Sequence, residues 1–517
     1  MAKTKLVNGV KLDYVAGSFA SFAKINNSNK ELKEENIKDY IGLMKFIESK
    51  LKGYINVSTL FNAYQEEGDG RSIKEHNNFG YDKVYSDSGG LQVLTAGKTI
   101  NDEVKEKVYT VQAKYSDYAM TFDEMPIMIA KDLGKKSKIG DYGQVFVDEL
   151  VEQNAELSAK HIQKQIDMFE SLNASTKILP IIHGYDIDSY LRYAKSIFNN
   201  LDHIGHHIQG MSIASLSGHA DNKVGIMKVF DFVPKILNSG EINPQYLEHI
   251  HLLGVASSQR IIPIIMMIKK GLLPIKTLSF DSTAITKAYT FGRAYQTIEE
   301  YKNPRDFSTE VTLKSYKNKE FPNIKQLYQS MYDTFKDYEN FMFDDWEDIA
   351  KHSPNNGDKR ALKDQFLEEG LEYQRKYLQQ VRIANLYHHY TYISMLEGYI
   401  DDELSISELF GYNKTVETMM QSFESVNTLE ELSEMCEYFY HFAKVGRTDL
   451  RIKKVKTIKE FKEKYEEEGI DVYAELGIDK DVEILSEELK KPWIKSSIKR
   501  AKGEDYPHGE EPTNALF

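Results

Sequence analysis

Seven short apolar runs, spaced by longer amphipathic stretches, constrain this chain more than any other feature. The runs lie at residues 54–57, 84–85, 118–122, 178–182, 210–213, 250–255 and 277–280. Between them, residues 146–169, 189–198 and 258–270 place apolar side chains near helical spacing. Strands that are nearly continuously apolar belong in a parallel sheet covered on both faces by helices. Seven or eight strand–helix units within residues 1–300 fit a closed (β/α)8 TIM barrel better than an open sheet. There is no glycine-rich dinucleotide fingerprint and no P-loop.

A chain of 517 residues holds more than such a barrel. The expected division is a catalytic barrel over 1–300, a helical region over 301–400 with a barrel-closing helix near 380–400, and a charged helical extension over 401–517. With 41% hydrophobic and 12% aromatic residues, a sizeable core is available. The longest apolar run, around Ile261 to Ile268, is too short to span a bilayer and carries Pro263, so no membrane partner is expected. Residues 1–5 (Met-Ala-Lys-Thr-Lys) lack the apolar core of a signal peptide, and a cytoplasmic location is expected. The single cysteine, Cys436, excludes an internal disulfide and a multi-cysteine zinc site. A net charge of −13 excludes a uniformly basic surface but allows local phosphate-binding patches. Two such patches run from Lys444 to Lys464 and from Lys490 to Lys502, the second with Trp493. They read either as solvated helix faces or as a phosphate-tracking surface with an aromatic available for base stacking.

Polar residues follow the apolar runs at Asp87, Asp123 with Glu124, His183, Ser215 and Asp281. In a parallel barrel every strand's C-terminal end opens on one face, so these positions are expected to converge. Any one of them alone reads as a helix cap or an ion-pair partner. Asp87 lies in Ser86-Asp87-Ser88-Gly89-Gly90-Leu91-Gln92-Val93. A carboxylate followed by backbone without side chains suits close approach of a flat ligand.

That stretch resembles the signature of the tRNA-guanine transglycosylases. Four later segments resemble it in the same order: residues 116–124, Ile182-His183-Gly184, Leu252-Leu253-Gly254-Val255 and Ser279-Phe280-Asp281-Ser282. Asn385 to Tyr390, with Met395-Leu396, is similar to the family's closing helix. The resemblance implies a (β/α)8 barrel that exchanges guanine in a nucleic acid for a 7-deazaguanine without ATP. By motif, Asp281 would be the nucleophile and Asp87 the general acid/base. Asp123 would read the base edge, with Ser88, Leu91, His183, Gly184, Ser215, Leu216 and Leu253 around the base, and Lys287 and Arg293 on phosphates. The chemistry is consistent with two carboxylates. One attacks C1′ as the base leaves; the other protonates the departing base and takes N9–H from the incoming one. Guanine donates from N1 and N2, and an ionised Asp123 accepts both.

Three departures alter the expectation. Residues 301–380 lack cysteine and Ala384 stands where the family has a zinc-ligating histidine, so no structural zinc, and no other cofactor, is expected. Leu91 replaces a stacking aromatic, and His183 replaces a base-binding glutamine. His206-His207 and His388-His389 read as loop and helix residues rather than metal ligands. Because the family's zinc region helps hold tRNA, the substrate favoured here is DNA, as in the DNA-modifying branch of bacteria and phages; a phage-encoded chain would act in the host cytoplasm. The target base must then leave the stack. Alternatives are the same exchange on tRNA and a non-catalytic nucleic-acid-binding subunit. Members of the family pair as dimers through the zinc region, an expectation that its loss weakens here, and the oligomeric state is left open.

Overall fold

A computed structural model of the chain describes residues 5–17, parts of 42–49, 55–64, 82–89, 101–122, 144–184, 187–201, 207–214, 216, 222–255, 257–282, 293–296, 309–312, parts of 332–341, 380, 383–384, 392–411, 414–444 and 459. The first element is a hairpin of β1 (Leu6–Val7) and β2 (Val10–Gly17), with Val7 opposite Val10. Asn8 and Gly9 make the turn at φ 47° and 81°. Asn-Gly adopts this doubly left-handed geometry readily, and its twist matches that of the strands.

Eight strand positions form a parallel ring. β2 pairs with β3 (Asn56–Asn62), β3 with β4 (Val84–Asp87) and β4 with β5 (Tyr118–Met120). On its other side β2 pairs with β10 (Thr277–Ser282), followed by β9 (His249–Leu252) and β8 (Gly210–Ile213). The stretch 177–182 fills the eighth position and is divided at Pro180 into β6 (Lys177–Leu179) and β7 (Ile181–Ile182). β6 pairs with β5, and β7 with β8. Pro180 offers its carbonyl to the Ser212 N–H at 2.8 Å, and the Ile178 N–H reaches the His207 carbonyl at 2.9 Å. Having no N–H, Pro180 leaves no donor unmet where the strand changes partners. The ring closes there, as the alternation of the sequence predicts.

Helices α1 (Asp102–Tyr115), α2 (Gln144–Ser171), α3 (Ile187–Asn199), α4 (Asn222–Leu237) and α5 (Ser258–Lys269) alternate with these strands. The stripe Tyr190, Tyr193, Ala194 and Ile197 explains why α3 packs inward. Asn101 caps α1 by accepting from the Val104 N–H at 2.9 Å. No helix among the described residues is long and apolar enough to cross a membrane.

The C-terminal region is helical. Residues 392–400 lie over the β10–β2 junction, where Tyr14 contacts both Phe280 (5.5 Å between centroids) and Tyr392 (6.1 Å). Of the closing helix expected near 380–400, Asn385 to Tyr390 lie outside the described residues. α6 (Ile406–Phe410), α7 (Lys414–Glu424) and α8 (Leu429–Lys444) follow. Phe423 of α7 stacks on Phe230 of α4 at 3.7 Å and lies 5.4 Å from Phe439 of α8. Lys5 pairs with Asp401, and Asn8 Nδ2 donates to the Ile268 carbonyl at 3.2 Å, so the N-terminal hairpin is tied to α5 and to the end of 392–400. A separate antiparallel ribbon pairs β11 (Arg293–Gln296) with β12 (Thr309–Thr312).

Two features differ from the sequence reading. The first ring strand, β2, is not among the apolar runs, because Lys11 and Asp13 interrupt it. The strands are also not uniformly apolar. His249 and His251 alternate with Ile250 and Leu252, and Thr277, Ser279 and Asp281 with Leu278 and Phe280. The apolar members join the large core beneath the helices. Inside the ring a smaller apolar cluster of Val15, Tyr85, Met120, Leu179, Ile181 and Ala214 shares the space with the polar members.

Candidate active site

Asp281 is the penultimate residue of β10 and only 5% exposed. Its Oδ1 accepts the Gly254 N–H at 2.7 Å, and His251 Nε2 stands 3.5 Å from the same oxygen. Gly254 follows β9 at φ 66°, a left-handed conformation that costs a side-chain-bearing residue about 1 kcal/mol or more. That turn directs the N–H onto the carboxylate. A backbone N–H that meets a carboxylate oxygen in this way fixes the orientation of the carboxyl group.

Beneath Asp281 the interior is a connected set of polar groups. Ser279 Oγ lies 2.8 Å from His251 Nδ1 and 2.7 Å from His249 Nε2. His249 Nε2 is 3.4 Å from the Tyr85 hydroxyl. That hydroxyl donates to Asp13 Oδ2 at 2.8 Å, and Ser58 donates to Asp13 Oδ1 at 2.6 Å. Burial, reinforced by His251 and Lys11, holds the His249 pKa down at about 3, so its ring is neutral. Burial raises Asp13 above the usual carboxylate range, and the hydrogen bonds from Ser58 and Tyr85 oppose that rise. Burial likewise pushes the Tyr85 phenol well up.

Asp87 ends β4, partly exposed, opposite Asn62 of β3; its carbonyl accepts the Ala63 N–H at 2.9 Å. The loop beyond it hugs the end of β3. Gly89 has φ 81°, and a Cβ there would stand 2.5 Å from Asn62 Oδ1 and 2.6 Å from Tyr64 Cβ. Only glycine fits so close a crossing. On the ring, Asp87 and Asp281 belong to strands separated by β3 and β2, and both lie at C-terminal strand ends.

The other expected residues divide into three groups. Ser88 and Leu216 are buried, and Leu253 packs against the inner cluster. His183 follows β7, is buried, and sets its ring edge-on to Tyr193 of α3 at 5.7 Å. Gly184 beside it faces Tyr190, which a Cβ would meet at 2.5 Å. Asp123, Glu124, Ser215, Leu91 and Lys287 lie outside the described residues, as do His206, His388, His389 and most of both basic tail stretches; Arg293 is described by its backbone in β11 alone. Cys436 is buried in α8, and no group of three or more metal-ligating side chains occurs among the described residues.

Sequence reading missed Asp13, Tyr85, His249, His251 and Ser279. The signal was present as strict two-residue alternation of polar and apolar residues in β9 and β10. In a strand covered on both faces, such alternation marks a polar interior. Comparison of the sequence with protein-family models and with curated proteins finds no match.

Proposed function

We propose that this chain is a base-exchange transglycosylase that replaces guanine in DNA with a 7-deazaguanine of the preQ0 kind. The observation that carries the reading is Asp281: a nearly buried carboxylate at the C-terminal end of a barrel strand, held by a backbone N–H. Active sites of parallel barrels gather at that end. In this reading Asp281 attacks C1′ of the target nucleotide as the C1′–N9 bond breaks, forming a sugar–aspartyl ester. Asp87 gives its proton to the leaving guanine. The incoming deazaguanine then returns N9–H to Asp87 as its nitrogen displaces Asp281 from C1′, so configuration is retained. Asp123 accepts from the N1–H and N2–H groups of guanine, which selects against bases that present acceptors there. The residues Ser88, Leu91, His183, Gly184, Ser215, Leu216 and Leu253 surround the base, and Lys287 and Arg293 contact phosphates. The exchange consumes no cofactor and takes place in the cytoplasm.

The test offers purified protein labelled guanine together with DNA or with tRNA. Label entering DNA is expected. Label in tRNA alone overturns the DNA assignment. Tight polymer binding with no label in either overturns catalysis in favour of a binding subunit.

A further inference from the structure

One face of α3 grips the segment that carries His183, and the chemistry above does not use it. Tyr190 and Tyr193 stand three positions apart, so both rings project from the same side of the helix. Tyr193 meets the His183 ring at 5.7 Å between centroids, with the two planes at 79°. Its hydroxyl donates to Asn154 Oδ1 of α2 at 2.6 Å and lies 2.9 Å from Ser158 Oγ, one turn further along that helix. Tyr193, Asn154 and Ser158 are all buried, and a phenol at such depth needs polar partners. Asn154 Nδ2 has no hydrogen-bond partner among the described residues, so the Tyr193 bond is what orients that amide. Tyr190 acts on the next residue. A Cβ on Gly184 would stand 2.5 Å from the Tyr190 ring and 2.7 Å from its backbone nitrogen. The Tyr190 hydroxyl donates to the Ala214 carbonyl, just beyond β8, at 2.5 Å. The two rings therefore fix residues 183–184 against α2 on one side and the end of β8 on the other.

We propose that Tyr193 is a positioning residue that sets the His183 ring through its bond to Asn154, and that this setting aims the imidazole at the carbonyl edge of the bound purine. The aim at a purine rests on the base-exchange reading; the hold of Tyr193 on His183 does not. In a perpendicular ring pair the edge of one ring meets the face of the other, and turning either ring breaks the contact. A hydrogen bond to a base demands such fixed placement, because a group displaced by an ångström no longer reaches its partner at good geometry. Tyr193 is wholly buried, so it acts on the base through His183 rather than by contact. Tyr193→Phe keeps the ring and removes the hydroxyl, which leaves Asn154 Oδ1 buried without its donor. The ring loses its anchor on α2 and shifts, and His183 shifts with it.

The experiment uses the full chain labelled with ¹³C-histidine, the His183 ring signals being those lost in His183→Ala. Tyr193→Phe, and Asn154→Leu, which cuts the same bond from the other helix, should each shift or broaden the His183 signals and leave those of His249 and His251 in place. In the labelled-guanine assay each should raise KM for guanine about fivefold or more, with kcat within about twofold of wild type. In a His183→Ala background neither should raise KM further, whereas a merely structural role would add its cost there too. Unchanged His183 signals in either folded variant overturn the hold of Tyr193 on His183. Shifted signals with KM unchanged, or a KM rise that persists in full without the imidazole, overturn the aim at the base. Should Tyr193→Phe fail to fold, Asn154→Leu decides by the same readings. The expected His183 shifts in a protein whose wild type exchanges no base refute the transglycosylase reading and leave the hold of Tyr193 on His183 standing.

Discussion

His249 gives the barrel an acid-sensitive interior whose size can be worked out. Its pKa is held at about 3 in the folded chain, against 6.5 for a free imidazole. As pH falls below 6.5 the unfolded chain binds a proton here and the folded chain does not. The stabilisation is therefore complete above pH 6.5 and is lost as pH falls toward 3. At about 1.4 kcal/mol per pH unit, the loss between pH 7 and pH 5 is about 2 kcal/mol. Asp13 acts with the opposite sign, because burial raises its pKa and its contribution is present at low pH and lost as pH rises. His249→Gln keeps an amide N–H near the Nε2 position, removes the titration and leaves Asp13 in place. Urea unfolding followed by far-ultraviolet circular dichroism at pH 7 and pH 5 should show wild type losing about 2 kcal/mol more than the variant. Parallel losses in the two proteins, or a His249 resonance that titrates between pH 5 and pH 8, would refute the reasoning.

Asp281→Asn should abolish covalent trapping of nucleic acid and cut base exchange by about a thousandfold or more; continued exchange would assign the nucleophile elsewhere. Gly254→Ala must hold φ 66° with a Cβ and should cost about 1 kcal/mol of stability while loosening the N–H on Asp281, seen as a fall in kcat larger than any rise in KM. Phe423→Ala removes the ring stacked between α4 and α8 and should cost about 3 to 5 kcal/mol in urea unfolding. A loss of less than about 1 kcal/mol would mean that α7 is not part of the barrel's packing.

The ring was legible because apolar runs and amphipathic stretches alternate at lengths that parallel strands and covering helices require. Pro180 did not hide its strand, since residues 178–182 remain apolar around it. β2 escaped notice for the opposite reason. Lys11 and Asp13 make it read as a polar segment, although Leu12, Tyr14 and Ala16 on its other face are buried. The placement of Asp281 at a strand's end was readable from Phe280-Asp281-Ser282 after an apolar run. The Gly254 N–H that holds it was not, because a left-handed turn 27 positions earlier is joined to it only through the register of β9 on β10. The histidines of β9 were equally hidden: alone each is a polar residue in a strand, and only the closed ring turns both toward Ser279.

The pairing of Lys5 with Asp401, and the Tyr14–Tyr392 contact above it, bear on how the chain is made. The first ring strand is synthesised early, yet its outer face is roofed by a segment some 380 positions downstream, the separation of Tyr14 and Tyr392. A nascent polypeptide halted before that segment emerges would carry Tyr14 and Phe280 uncovered to water, a sticky strip on an otherwise assembled cylinder. Shortening the gene to end near residue 300 should therefore give an aggregating product rather than a minimal catalytic unit.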